Sequence, residues 1–97
     1  MSDSQTAWKV IWQHAAKTPT PDAPFEIDEV VPAVAAALGA PEDKARHLIS
    51  GLLVELSRLP DGRQFFTREG NAVVPLPEFT RVAGRVDNPV EVYPYEL

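Results

Sequence analysis

The chain has 97 residues, of which 44% are hydrophobic and 24% charged, with a formal net charge of -5 at pH 7, enough for one small core and no second one. It contains no cysteine, which excludes a disulfide framework, a thiol nucleophile and a thiolate metal site. The opening MSDSQTAWKV lacks a basic region followed by an apolar run, and no stretch approaches the roughly 20 apolar residues of a membrane helix, so a cytoplasmic chain without membrane association is expected.

Ser2, Asp3 and Ser4 offer capping oxygens for a first helix that should run to about Lys17, with Trp8, Ile11, Trp12 and Ala15 on one face. The two Trp residues read as core anchors. Pro19 and Pro21 forbid continuation, and residues 18 to 24 form a Pro-rich connection. Phe25-Glu26-Ile27 then alternates apolar, polar, apolar, as a very short strand does. Asp28 can cap a second helix, in which Pro32 is tolerable only within the first turn. Val30, Val31, Val34, Ala35 and Leu38 line one side of that helix. Gly39 is its left-handed stop, and Pro41 takes the opening position of the next helix, so only a sharp turn fits between them.

In the third helix Ala45, Leu48, Ile49, Leu52, Leu53, Leu56 and Leu59 recur at spacings of three and four, a stripe that must be buried. Glu42 and Asp43 at its start suit the positive end of the helix dipole. Gly51 stands in mid-helix at a cost of about 1 kcal/mol relative to Ala. Pro60-Asp61-Gly62 is turn chemistry. Arg63 to Thr67 and Ala72 to Leu76 are strand-like runs separated by Arg68-Glu69-Gly70-Asn71, which reads as a hairpin. Beyond it Pro77, Pro89 and Pro94 break regular structure, while Val90, Val92, Tyr93 and Tyr95 suit an edge strand or an extended arm. The expected fold class is mainly α with a small β-hairpin (α+β). The expected organisation is a single domain over residues 1–97, with its core in 4–76 and a C-terminal arm in 77–97.

Charge is unevenly spread: residues 1 to 43 carry -5, residues 44 to 85 carry +3 and residues 86 to 97 carry -3. Seven of the nine basic side chains therefore lie between Lys44 and Arg85, in the third helix and the hairpin region after it. Catalysis has little support. His14 and His47 lie on different helices without metal-ligand spacing, and the close acid pairs Asp28-Glu29 and Glu42-Asp43 sit at helix starts, where capping and dipole effects account for them. No Gly-rich phosphate loop appears. No enzymatic activity, metal or cofactor is expected.

Taken in order, helix, short strand, helix, tight turn, helix and hairpin resembles winged helix-turn-helix domains over residues 25 to 76, with Trp8 to Ala16 supplying the first helix. The likeness rests on AAALGAPEDKARHLISGLL, followed by DGRQFFTREGNAVVPL as the wing. It implies a three-helix winged fold and, as one expectation, a small DNA-binding transcriptional regulator whose third helix enters the major groove. Lys44, Arg46, His47 and Ser50 would then lie on the outward face, with Arg46 bidentate to guanine and His47 or Ser50 supporting it. Arg63 and Arg68 would reach phosphates or the minor groove from the wing, Lys44 and Arg58 would be positioning contacts, and pairing through the first helix or the Tyr-rich tail would give a homodimer on two half-sites.

The sequence departs from a DNA reader at Glu42 and Asp43, which repel phosphate where such helices carry polar or basic groups. The alternative expectation is an acidic winged-helix module that docks a protein partner without binding DNA. Its contact residues would be Glu42, Asp43, Gly51, Tyr93 and Tyr95.

Overall fold

The computed structural model describes residues 2–17, 23–60 and 63–94. Ser2 and Gln5 open it with a capping box: the Gln5 N–H donates to Ser2 Oγ at 3.1 Å, and the Ser2 N–H donates to Gln5 Oε1 at 2.8 Å. Two backbone donors at the helix start are thereby satisfied. The capped helix, α1 (Asp3–Lys17), turns Ala7, Trp8, Ile11, Trp12 and Ala15 into the core. The expected break at Pro19 and Pro21 lies outside the described residues.

A two-residue strand, β1 (Phe25–Glu26), runs directly into α2 (Ile27–Leu38). Ile27 belongs to the helix rather than the strand, and its N–H donates to the Asn71 carbonyl at 2.8 Å. The cap is also one that the sequence did not suggest. Glu26 occupies it, its N–H donating to Glu29 Oε2 at 2.7 Å, while Asp28 lies inside the first turn and pairs with Arg46. Pro32 falls in the second turn, not the first. Its missing N–H denies the Asp28 carbonyl an intrahelical donor, which is tolerable because both residues are exposed and water can substitute.

Gly39 ends α2 at φ 63° and ψ 39°. The Gly39 N–H donates to the Ala36 carbonyl at 3.3 Å and the Ala40 N–H to the Ala35 carbonyl at 3.0 Å, the bond pair of a Schellman motif. The next helix, α3 (Glu42–Leu56), begins one residue later than expected, because Pro41 is extended at ψ 153° and serves as the cap rather than the first helical residue. Ala45, Ile49, Leu52, Leu53 and Leu56 are buried along α3, and Leu48 and Leu59 are half-buried at the edges of the stripe. Past Leu56 the backbone keeps a helical course, with the Ser57 N–H on the Leu53 carbonyl and the Arg58 N–H on the Glu55 carbonyl. Gln64 Nε2 caps this end, donating to the carbonyls of Ser57 at 3.1 Å and Leu59 at 2.7 Å. Of the expected Pro60-Asp61-Gly62 turn, Asp61 and Gly62 lie outside the described residues.

The hairpin consists of β2 (Phe66–Glu69) and β3 (Ala72–Pro75). Its first strand starts later than the residue pattern suggests and its loop is tighter, whereas its second strand starts at Ala72 as expected: Arg68 and Glu69 are in β2, Arg63 precedes it, and Gly70-Asn71 alone makes the turn. Gly70 at φ 59° supplies the positive dihedral that two-residue hairpin turns demand. Phe25 pairs with Val73 and Glu26 with Ala72, so the antiparallel sheet has the order β1-β3-β2. The architecture is mainly helical with a small three-stranded sheet.

Residues after the hairpin form neither an edge strand nor an extended arm where they are described. They make α4 (Pro77–Val82) and two 3-10 turns, Ala83–Arg85 and Pro89–Val92. Phe79 of α4 is fully buried, with its ring 4.6 Å from Trp12 and 4.9 Å from Phe66. Buried aromatic side chains of this kind each stabilise the fold by about 1.5–3 kcal/mol through burial, and the edge-to-face pairing of Trp12 with Phe79 adds to that. Residues 77–94 thus share the cluster built by α1, α2, α3 and the hairpin. Among the described residues, no helix is long and apolar enough to cross a membrane.

Candidate interaction surface

The stripe that buries α3 also defines its opposite face. With 3.6 residues per turn, Asp43, His47, Ser50, Gly51, Val54 and Arg58 fall within about 100° of arc on the outer side. All except the half-buried Ser50 are exposed. Val54 is the one large hydrophobic residue among those described that stands out in solvent, at 43% exposure. Sequence reasoning passed over it, although Val54 falls outside the spacing of Leu52, Leu53 and Leu56, and that is the signal that marks it. Gly51 is open: a Cβ placed on it would meet nothing within 4 Å.

The basic residues expected to read bases do not share a face. Lys44 and Arg46, two positions apart, point about 160° away from each other around the helix axis. Arg46 extends from the flank toward α2, where its Nη1 bonds Asp28 Oδ1. The pair is half exposed on both sides. His47 and Ser50 lie on the outer face, Arg58 at its C-terminal end, and Glu42 and Asp43 are exposed at its N-terminal end. In the hairpin, Arg68 folds back so that Nε donates to the Gly70 carbonyl at 2.7 Å, and Arg63 is exposed before β2. Farther along the chain Arg81 is tied to Glu78 by two hydrogen bonds, of 3.1 and 2.6 Å, which hold the Glu78 carboxyl below its ordinary pKa. The excess of bases after Lys44 is therefore partly cancelled by local pairing.

Of the residues expected to touch a protein partner, Tyr93 is half-buried, with its ring edge-on to Trp8 at 6.0 Å. Tyr95 lies outside the described residues. Tyr93 also walls an open cleft of about 470 Å³ on the flank of α3, together with Ser4, His47, Leu48, Gly51, Leu52 and Glu55. Burial pushes the Tyr93 phenol upward in pKa, a hydrogen bond with Ser4 opposes that, and the Glu55 carboxylate raises it further. Leu48, Gly51, Leu52 and Glu55 share one flank of α3 by spacings of three and four, whereas Ser4 and Tyr93 reach the cleft only through tertiary packing of α1 and the C-terminal turn.

Chemically, the surface carries three carboxylates on α3, Glu42, Asp43 and Glu55, alongside Lys44 and Arg58. Its acids and bases are solvated and of mixed sign, and Glu55 is the one acid that the open cleft brings beside His47. Among the described residues, no three His, Asp or Glu side chains converge so as to hold a metal ion. No protein-family model matches the chain, and comparison with curated proteins and with solved structures yields no match.

Proposed function

We propose that the chain is a winged-helix-type interaction module that docks a protein partner on the outer face of α3. The element order, the Gly39-to-Pro41 turn between α2 and α3, and the sheet order β1-β3-β2 support the winged-helix reading. The observation that carries the choice of partner is the pairing of Arg46 with Asp28. It engages the best candidate for base recognition with a carboxylate, and the outer face of α3, where Asp43 offsets Arg58, carries no positive excess, whereas duplex binding draws most of its strength from cations against phosphates. Exposed Val54 and the opening at Gly51 lie on one face and leave room there for a close approach by a protein surface.

Fluorescence anisotropy with pooled duplexes at low salt, run beside affinity capture from the native host, tests this. The expected result is no salt-sensitive duplex binding, and capture of a protein that is lost in Val54→Glu while the circular dichroism of the variant is unchanged. Duplex binding that falls steeply with salt and is weakened by Arg58→Ala and Arg68→Ala would establish a DNA reader and overturn the proposal.

A further inference from the structure

The outer face of α3 is complementary to itself when reversed. Asp43 and Arg58, His47 and Val54, and Ser50 and Gly51 are each equidistant in sequence from the Ser50–Gly51 peptide; five of the six lie on one arc of α3, and Arg58 follows two residues past its end, where the backbone keeps a helical course. Two such helices laid antiparallel about a two-fold axis at that peptide bring Asp43 of each against Arg58 of the other, and His47 against Val54. Such a self-matching patch is what a two-fold homodimer requires.

We propose that the partner for which this face is built is a second copy of the chain, bound through an antiparallel α3 pair crossing at Gly51. The proposal rests on the reading of the α3 outer face as a docking surface. Two observations carry it beyond that reading. The first is the charge arrangement: exposed acid at one end of α3 and exposed Arg58 at the other, with the one exposed large apolar side chain among the described residues, Val54, between them. Lys44 stands about 100° further round the helix than Asp43, on the Leu48 flank, and so does not occupy the crossing.

The second observation is Gly51 itself. Glycine in a helix interior weakens the helix relative to alanine, and nothing inside the monomer calls for it, because its φ is not positive and no atom lies within 4 Å of where a Cβ would sit. An approaching backbone does call for it. Pairing through the apolar face of α1 would compete with the chain's own core, because Trp8, Ile11 and Trp12 are buried there.

Two helices of this length bury less than a standard interface, so the pair is expected to be weak and concentration-dependent. Sedimentation equilibrium of the full chain should show the mass rising with concentration from 10.7 kDa toward twice that value. Asp43→Arg alone and Arg58→Asp alone should each weaken the dimer at least about tenfold, since each makes two like-charge contacts. The double variant D43R/R58D should restore it, and an equimolar mixture of the two single variants should form a heterodimer, because each then supplies the charge that the other lacks. Gly51→Leu should be well folded and monomeric.

A chain that stays monomeric at every concentration overturns the proposal, as does a dimer indifferent to Asp43→Arg and Gly51→Leu, or a double variant that is not rescued. If the chain is monomeric yet Val54→Glu still abolishes capture of a different protein, self-pairing fails and the docking reading stands. If Val54→Glu affects neither, both fail.

Discussion

The indole Nε1 of Trp8 donates a 2.8 Å hydrogen bond to the backbone carbonyl of Pro89, 81 residues away, and both groups are buried. This bond fastens the C-terminal turn Pro89–Val92 to the middle of α1. It also fixes where Tyr93 comes to rest against α3, and hence the wall of the cleft beside Gly51.

Trp8→Phe removes the donor, keeps an aromatic ring and leaves the Pro89 carbonyl buried without a partner. The expected loss of stability is about 1–3 kcal/mol from that carbonyl, with a further contribution from the smaller ring. Urea denaturation followed by far-ultraviolet circular dichroism measures it, and a midpoint equal to that of the parent chain would contradict the role assigned to the bond.

The two glycines on either side of α3's first half should respond in opposite directions to alanine. Gly39→Ala forces a side chain into the left-handed region at φ 63° and should destabilise by about 1–2 kcal/mol. Gly51→Ala meets no atom within 4 Å and should stabilise the monomer by about 0.5–1 kcal/mol. Thermal unfolding at a concentration low enough to keep the chain monomeric separates the two, and a shift of the same sign for both would refute these roles.

The Arg46–Asp28 pair joins α3 to the start of α2 with both side chains about half exposed, at 47% and 55%. Solvent screening limits its worth. A double-mutant cycle with Arg46→Ala and Asp28→Ala should return a coupling of about 0.2–1 kcal/mol that shrinks as salt is added. A coupling of several kcal/mol unaffected by salt would mean that the pair is more buried than the structure places it.

Tyr93 should ionise above the ordinary phenol value of 10.0, first because burial disfavours the phenolate, with the Ser4 hydrogen bond opposing and Glu55 assisting. The neutral form is the one the fold favours. The associated stability is therefore complete below the unfolded value and is lost as pH rises through the higher folded one. In a Tyr95→Phe background, tyrosinate absorbance should report Tyr93 alone. Ser4→Ala should move its titration to higher pH and Glu55→Gln to lower pH. No movement in either variant would show that the phenol does not sit where the cleft places it.

Much of the architecture was legible in the chain because it is local. The Leu-rich stripe of α3, the Val30-to-Ala35 face of α2, the stop at Gly39 and the turn residue Gly70 each act within a few positions, through side-chain spacing or a single permitted dihedral. Errors gathered where local choices compete. Asp28 is the capping residue type that local chemistry prefers, yet the sheet register and the bond from Ile27 to Asn71 place the cap at Glu26. Pro32 and Pro41 were each misplaced relative to a helix start for the same reason, since backbone chemistry alone allows several starts. Residues 77–94 were misread as an edge strand or arm because Phe79 and Pro89 gain their place only from a pocket of Trp8, Trp12 and Phe66 that no short window contains.

The sequence by itself determined that three helices and a hairpin must bury one apolar stripe each, because periodicity and turn chemistry are properties of neighbouring residues. Only the tertiary structure decided that Arg46 pairs with Asp28 and that Tyr93 closes a cleft beside Gly51. Those outcomes depend on which distant elements meet, and charge and exposure are properties of that meeting rather than of the residues taken one at a time.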